Sequence, residues 1–347
     1  MTRFLLPLFV LLFAVPQPSA GAKQSEGRPM QSDAVQALKA LQRLDQRMHT
    51  TGYRLVSANA GFCDTNVPHI GFLLHDLNQY GDKEAARQAH GFANAIAINA
   101  VVPDSAAAAS SLKVGDSLIA VDGQLVDEID FDTEKLAAEK PEYRRIAAVK
   151  ARVLEAAADG RVALTIMRAG SRHEIAVAAT QACPSQFQIQ VSKNRDASAD
   201  GKMVSISSTL AEYVLDDDEL AAIAAHELAH NLLKHRDLLN AQKVNRGFFG
   251  QFGKSAGRIK TAEIEADRLS VWLMANAGYD PEAAIRFWTR YGKQHGKGIF
   301  SAPTHYRWKK RVKLFEEEMA KMANAEAANG KYSPPLLLAR RAKQSIN

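Results

Sequence analysis

Cysteine is almost absent from this chain: Cys63 and Cys183 are the only two among 347 residues. In an oxidising compartment such a pair favours a single disulfide. No cysteine closely follows the apolar N-terminus, which argues against a lipoprotein anchor. Beyond that N-terminus, no run is long and apolar enough for the ~20 residues of a membrane-spanning helix. A dense lysine and arginine stripe with interleaved aromatics is also missing. The formal charge of +6 therefore reads as a solvated surface rather than a nucleic-acid footprint. The same composition leaves peripheral contact with a membrane open. With 46% hydrophobic and 24% charged residues, the chain has the make-up of a soluble globular protein, long enough for about two domains.

What is present begins with a secretory signal. Arg3 supplies a short positive segment, Phe4 to Val15 an apolar stretch, and Ala20-Gly21-Ala22 a cleavage site of small residues. Residues 1–22 are expected to be removed, leaving a periplasmic or secreted protein. Val35, Leu38, Leu41, Leu44 and Met48 then recur at steps of three and four, which predicts an amphipathic packing helix. From about residue 92 to 180 the pattern changes. A Pro103-Asp104-Ser105-Ala106 start leads to Leu112-Lys113-Val114-Gly115-Asp116, a strand, and an Asp122-Gly123 turn. Arg161 to Arg168 follows as an alternating strand. This succession resembles a PDZ domain of the bacterial protease type. The resemblance implies capture of a C-terminal or extended peptide by strand addition. Gly91-Phe92 and Ile96 to Ile98 are candidates for the carboxylate loop and edge strand. Cys63 and Cys183 flank this unit, and a disulfide between them would staple the stems of an inserted domain. Residues 30–91 and 184–328 are then two parts of one host domain, and 329–347 a tail.

The host carries His226-Glu227-Leu228-Ala229-His230 in an apolar helical run. Histidines four apart share a helix face, so both imidazoles can grip one Zn²⁺ while Glu227 reaches a water on it. A catalytic zinc wants a third protein ligand. The class that takes a histidine ten residues after the first is excluded, because Arg236 stands there. Glu263-Ile264-Glu265-Ala266-Asp267 offers the alternative. Glu263 and Asp267 share a face, so Glu263 is expected to be the ligand and Asp267 the carboxylate orienting a ligand histidine. Glu265 points elsewhere and reads as a solvent-facing charge. His235 reads as a histidine at a helix end. The glycine- and phenylalanine-rich stretch from 243 to 260 reads as a loop.

The HExxH, the later E-x-E-A-D, Gly278-Tyr279-Asp280-Pro281 and Thr304-His305 together resemble the gluzincin metallopeptidases of the HtpX, BepA and CaaX prenyl endopeptidase type. The resemblance implies an α+β fold: a mainly helical zincin-type domain with a small sheet, interrupted by the PDZ-like domain. It implies one Zn²⁺ per chain, Glu227 as general base, and polypeptide substrates, misfolded or unassembled, in the cell envelope. His305 matches a family histidine that either donates to the oxyanion or occupies the open zinc position, and Arg311 matches the family's arginine. Tyr306 departs from the usual proline. A second reading is an envelope chaperone or adaptor that binds polypeptides through the PDZ domain, with its peptidase latent.

Overall fold

The apolar steps that begin at Val35 continue through Met48, Leu55 and Val56, and the first helix, α1 (Gly27–Ala58), runs for 32 residues. The computed structural model describes residues 27–130, 134, 136–137, 139–244, 253–295 and 307–344. The expected signal segment and His305 lie outside them. After α1 come β1 (Val67–His69), β2 (Phe72–Asp76), α2 (Lys83–His90), β3 (Ile96–Val101), α3 (Ala106–Ala109), β4 (Ser117–Val121), β5 (Gln124–Leu125), α4 (Pro141–Ala156), β6 (Arg161–Arg168) and β7 (Ser171–Ala178). The chain then returns through β8 (Thr180–Ala182), β9 (Gln186–Gln190), β10 (Ala197–Ala199), β11 (Met203–Ser207) and α5 (Ser208–Tyr213). It ends on α6 (Asp217–Leu232), α7 (His235–Ala241), α8 (Gly253–Asn276), α9 (Glu282–His295), α10 (Trp308–Ala323) and α11 (Pro335–Gln344). The architecture is α+β, with the strands concentrated in the first half and the helices in the second.

Strands β2 to β7 form one sheet in the order β2-β3-β4-β6-β7, with β5 paired to β4. Its core of Leu74, Ile96, Ile98, Leu118, Leu164 and Ile166 is closed by Ile146, Val149 and Val153 of α4. The boundary at residue 92 needs correcting. Strand β2 pairs with β3 from Phe72↔Val101 to Asp76↔Ile96, so the unit starts some twenty residues earlier than the sequence pattern suggests. Ile96 to Ile98 are also not an edge: β3 lies between β2 and β4, and the terminal strand is β2. Strand β3 is buried without a break from Ile96 to Ala100, the mark of a strand covered on both faces rather than of an edge. Strands β1 and β8 pair antiparallel, Val67↔Ala182, as the two stems of this unit. Beside them Cys63 and Cys183 are joined in a disulfide, with Cα atoms 5.6 Å apart across 120 positions of sequence.

The second core gathers around α6 and α8, with the β10-β11-β9 sheet beside them. Helix α6 is buried from Leu220 to Ala225 and again at Leu228 and Ala229, and the alanines let neighbouring backbones approach. Helix α1 is shared. Leu44, Met48 and Leu55 enter this core, while Gln46 on the opposite face hydrogen-bonds both backbone groups of Val101 in β3, at 2.8 and 3.1 Å. The side-chain amide thus takes the place of a neighbouring strand where β3 diverges from β4. The expected tail, 329–347, is corrected by α11, whose Leu337 is buried in the second core. Asn276 fixes the approach to it, donating to Tyr332 O at 2.9 Å and accepting from Tyr332 N at 2.7 Å. A few apolar residues among many charges conceal such a helix from composition alone. The stretch expected to be a loop is helical from Gly253 onward, in α8, and residues 245–252 lie outside the described ones.

Candidate metal centre

Helix α6 begins at Asp216, whose side chain accepts from Glu219 N at 2.8 Å, and Glu219 in turn accepts from Leu215 N at 2.9 Å. One orphan donor of the first turn and the N–H of the residue before the cap are thereby satisfied. Arg290 of α9 pairs with the buried Glu219 carboxylate at 2.5 Å and ties the helix start to its neighbour. Three turns on, His226 and His230 face α8, where Ala266 is fully buried at the contact and lets the helices close.

The fold brings His226, His230 and Glu263 together. His226 Nε2 lies 3.2 Å from His230 Nε2, and Glu263 oxygens lie 3.5 Å and 3.6 Å from those two nitrogens. Zinc ligands sit about 2.0–2.2 Å from the metal, so tetrahedral neighbours stand about 3.3–3.6 Å apart, within about 0.1 Å of all three distances. The three edges match that spacing, and the donors are the two imidazoles and one carboxylate of a catalytic rather than a closed site. Among the described residues this is the one group of three or more His, Cys, Asp or Glu able to hold a metal ion.

Behind His226, Asp267 Oδ1 stands 2.9 Å from Nδ1, so Nδ1–H donates to the carboxylate and Nε2 is the nitrogen turned to the triangle. Arg311 of α10 grips the same carboxylate with two nitrogens, Nε at 2.8 Å from Oδ2 and Nη2 against Oδ1. Its Nη2 also lies 3.2 Å from His226 Nδ1. Both groups are donors there, so this is a close approach and not a third bond. The Arg311 guanidinium stacks 3.5 Å from the ring centre of Trp288 on α9. Burial would raise the Asp267 pKa, but Arg311 and His226 outweigh it and hold the carboxyl below its usual range. Burial and Arg311 likewise oppose protonation of His226, yet hydrogen bonds to Asp267 and Glu263 prevail and lift its pKa to about 9. The donor set thus favours a positive charge at its centre. Burial and the facing His226 push His230 down to about 3. Burial raises Glu227, next to His226 on α6, to about 6.

Two residues differ from their sequence readings. His235 stands at a helix end as read, but at the start of α7 and only 3% exposed, and Glu265 is bound to it rather than to solvent alone. Helix α6 stops at Leu232, Lys234 adopts a left-handed conformation with φ of 50°, and α7 starts at His235. On an unbroken helix residues five apart would point about 140° away from each other. The break turns His235 back toward His230. No glycine or proline marks it, so only the E-x-E spacing hinted at a second carboxylate near the site. His305 lies outside the described residues.

Fold and site together define a candidate metal centre of two imidazoles and one carboxylate, in a chain that also carries a β-rich unit. Residues 170–260 match the model of Peptidase family M48, and residues 70–142 match that of the PDZ domain. These two stretches are thus similar to an M48 peptidase domain and to a PDZ domain. It is similar to the mitochondrial metalloendopeptidase OMA1 of Schizosaccharomyces pombe, at 32% identity over 122 residues. That match takes in 29% of this chain and 36% of the relative, so the chain spans about a third of the relative's length. The M48 match ends before Glu263, so the third corner of the triangle is placed by the fold of α8.

Proposed function

We propose that the chain is a zinc-dependent endopeptidase of the cell envelope whose PDZ domain recruits or gates polypeptide substrates. The observation that carries this reading is the His226–His230–Glu263 triangle with tetrahedral edges and Glu227 beside it on the same helix. Bound by those three residues, zinc supplies a Lewis acid and the activation of water. Glu227 is the base. With a pKa of about 6 it is mostly ionised at pH 7 yet close enough to neutrality to take a proton and return it to the leaving amine. Asp267, held by Arg311, keeps His226 in the tautomer and orientation that binding needs.

Strand β2 supports the PDZ assignment of a ligand edge. It ends its sheet, and α4 packs along it, with Arg145 donating to Asp76 at 2.6 and 2.5 Å to hold helix and strand together. An extended polypeptide adding to that edge would pair its backbone there. Extended segments are what unfolded or unassembled proteins offer. The disulfide and the secretory character of residues 1–22 support an oxidising compartment. No helix among the described residues is long and apolar enough to cross a membrane. The deciding measurement is cleavage of an unfolded, casein-like protein by wild type and Glu227→Gln. The variant should retain zinc and lose activity by about 10²–10⁴-fold. Undiminished cleavage would reject Glu227 as the base. Absence of zinc from the wild type would reject the metal centre.

A further inference from the structure

Both imidazoles of the triangle need a partner on the ring nitrogen turned away from the metal, and only one of them has a carboxylate in direct contact. His226 has Asp267, which is gripped by Arg311. His230 has another histidine: its Nδ1 lies 3.0 Å from His235 Nδ1. His235 Nε2 lies 3.0 Å from Glu265 Oε2, and Arg340 Nη2 lies 3.6 Å from that same oxygen. Arg340 belongs to α11 and also donates to the carbonyl of Leu233, beside the break between α6 and α7.

The protons can be placed by elimination. Glu265 is a carboxylate paired with an arginine, so it accepts, and His235 Nε2 must carry the hydrogen. In the tautomer with its hydrogen on Nε2, His235 has a bare Nδ1, which accepts. His230 Nδ1 must therefore donate, and its Nε2 is left with the lone pair that faces His226 Nε2 and Glu263. Every member of the chain has one consistent role, and the outcome at the triangle is the one a metal ligand requires. The two supports are parallel in kind: imidazole, carboxylate and arginine behind His226, and the same with one more imidazole behind His230.

We propose that His235, Glu265 and Arg340 form a relay that fixes the tautomer and ring orientation of His230, making α11 a working part of the metal centre. The inference rests on the metal-centre reading. His235, Glu265 and Arg340 are positioning residues: none lies at the triangle. The left-handed turn at Lys234 brings the relay together, and the contact to Leu233 O lets one arginine hold both the turn and the carboxylate.

The test is zinc affinity of the full chain, measured by competition with a chromogenic chelator, together with the rise in melting temperature that zinc produces. Glu265→Gln and His235→Phe should each weaken zinc binding about 10–100-fold, the range for loss of such a partner. Arg340→Met should weaken it less, and Arg340→Lys should recover part of the loss. In Glu265→Gln the metal-free melting temperature should stay near that of wild type while the zinc-dependent rise shrinks, whereas Arg340→Met also frees the turn at Lys234 and should lower both. A purely structural role would lower the metal-free value and leave the rise intact. Glu317→Gln, on the exposed face of α10, serves as the control. Wild-type affinity in Glu265→Gln and His235→Phe would overturn the relay while leaving the metal centre standing. A wild type that binds no zinc would overturn both. If His235→Phe folds poorly, Glu265→Gln, nearly isosteric and at a half-exposed position, decides alone.

Discussion

Glu263, Glu265 and Asp267 stand within one and a half turns of α8, and their neighbours give each a different task. Glu263 meets two imidazole nitrogens, Glu265 meets His235 and Arg340, and Asp267 meets His226 and Arg311. Of these, Asp267 is the most dependent on its partner. It is 1% exposed and its charge is tolerated because Arg311 takes both oxygens. Arg311→Met should lower stability to urea by about 3–5 kcal/mol, the cost of leaving a buried charge without its counter-ion. The double variant Asp267→Asn, Arg311→Met should recover part of that loss. Equal stability of wild type and Arg311→Met would show that the carboxylate is not held by this pair.

At the scale of elements, close approach decides as much as periodicity. Gly52 of α1 sits against Phe187 of β9, and a Cβ there would fall 2.3 Å from the ring. Alanine is the better helix former by about 1 kcal/mol, but forcing a side chain into a packed contact costs typically 1–3 kcal/mol. The clash should win, so Gly52→Ala should lower the melting temperature, even though propensity alone would raise it. A raised melting temperature would mean that α1 is not seated on β9 as described. Likewise α6 and β6 follow from apolar spacing that any reader of the sequence can trace. The break at Lys234 does not, because it is held by contacts with α8 and α11 that lie far away in sequence.

Across the whole molecule, α1 joins the two cores, and its outer face meets an unusual concentration of buried histidines. His75 Nε2 lies 3.6 Å from Asp45 of α1 and 3.2 Å from Asn99, while Nδ1 meets Tyr80. His69 Nδ1 accepts from Gly71 N at 3.2 Å. Neither ring nitrogen of His90, nor Nε2 of His49, has a hydrogen-bond partner. Burial pushes His49 down to about 3, His69 and His90 to about 4, and His75 well below its usual value. Burial also lowers Lys150 of α4 and raises Asp45 to about 7. The signs oppose each other. Below about pH 6.5 the unfolded chain protonates histidines that the folded chain keeps neutral, so acid destabilises the fold down to about pH 4. Asp45 works the other way between about 7 and 3.8, because the folded chain holds its proton first. Five buried histidines with lowered values, His230 among them, outnumber Asp45, Glu227 and His226, whose raised values work the other way, so stability should fall on acidification from pH 7 to 5. Each net proton contributes about 1.4 kcal/mol per pH unit. Denaturant melts at the two pH values check this, and a flat profile would sink it.

Residue type and spacing in the sequence alone determined the histidine pair on one helix face and the acidic motif that holds Glu263 and Asp267, while the α+β class came with the family resemblance those motifs carry. Those features are local: periods of 3.6 and 2 and a four-residue offset operate within one element, and no distant contact is needed to read them. Tertiary structure decided what depends on residues remote in sequence. It made β2 rather than β3 the edge strand. It turned the expected tail into α11, and it gave His235 and Glu265 a common task. In each case the outcome follows from which backbone groups and charges must find partners when two elements meet, and the chain between them carries no mark of that meeting.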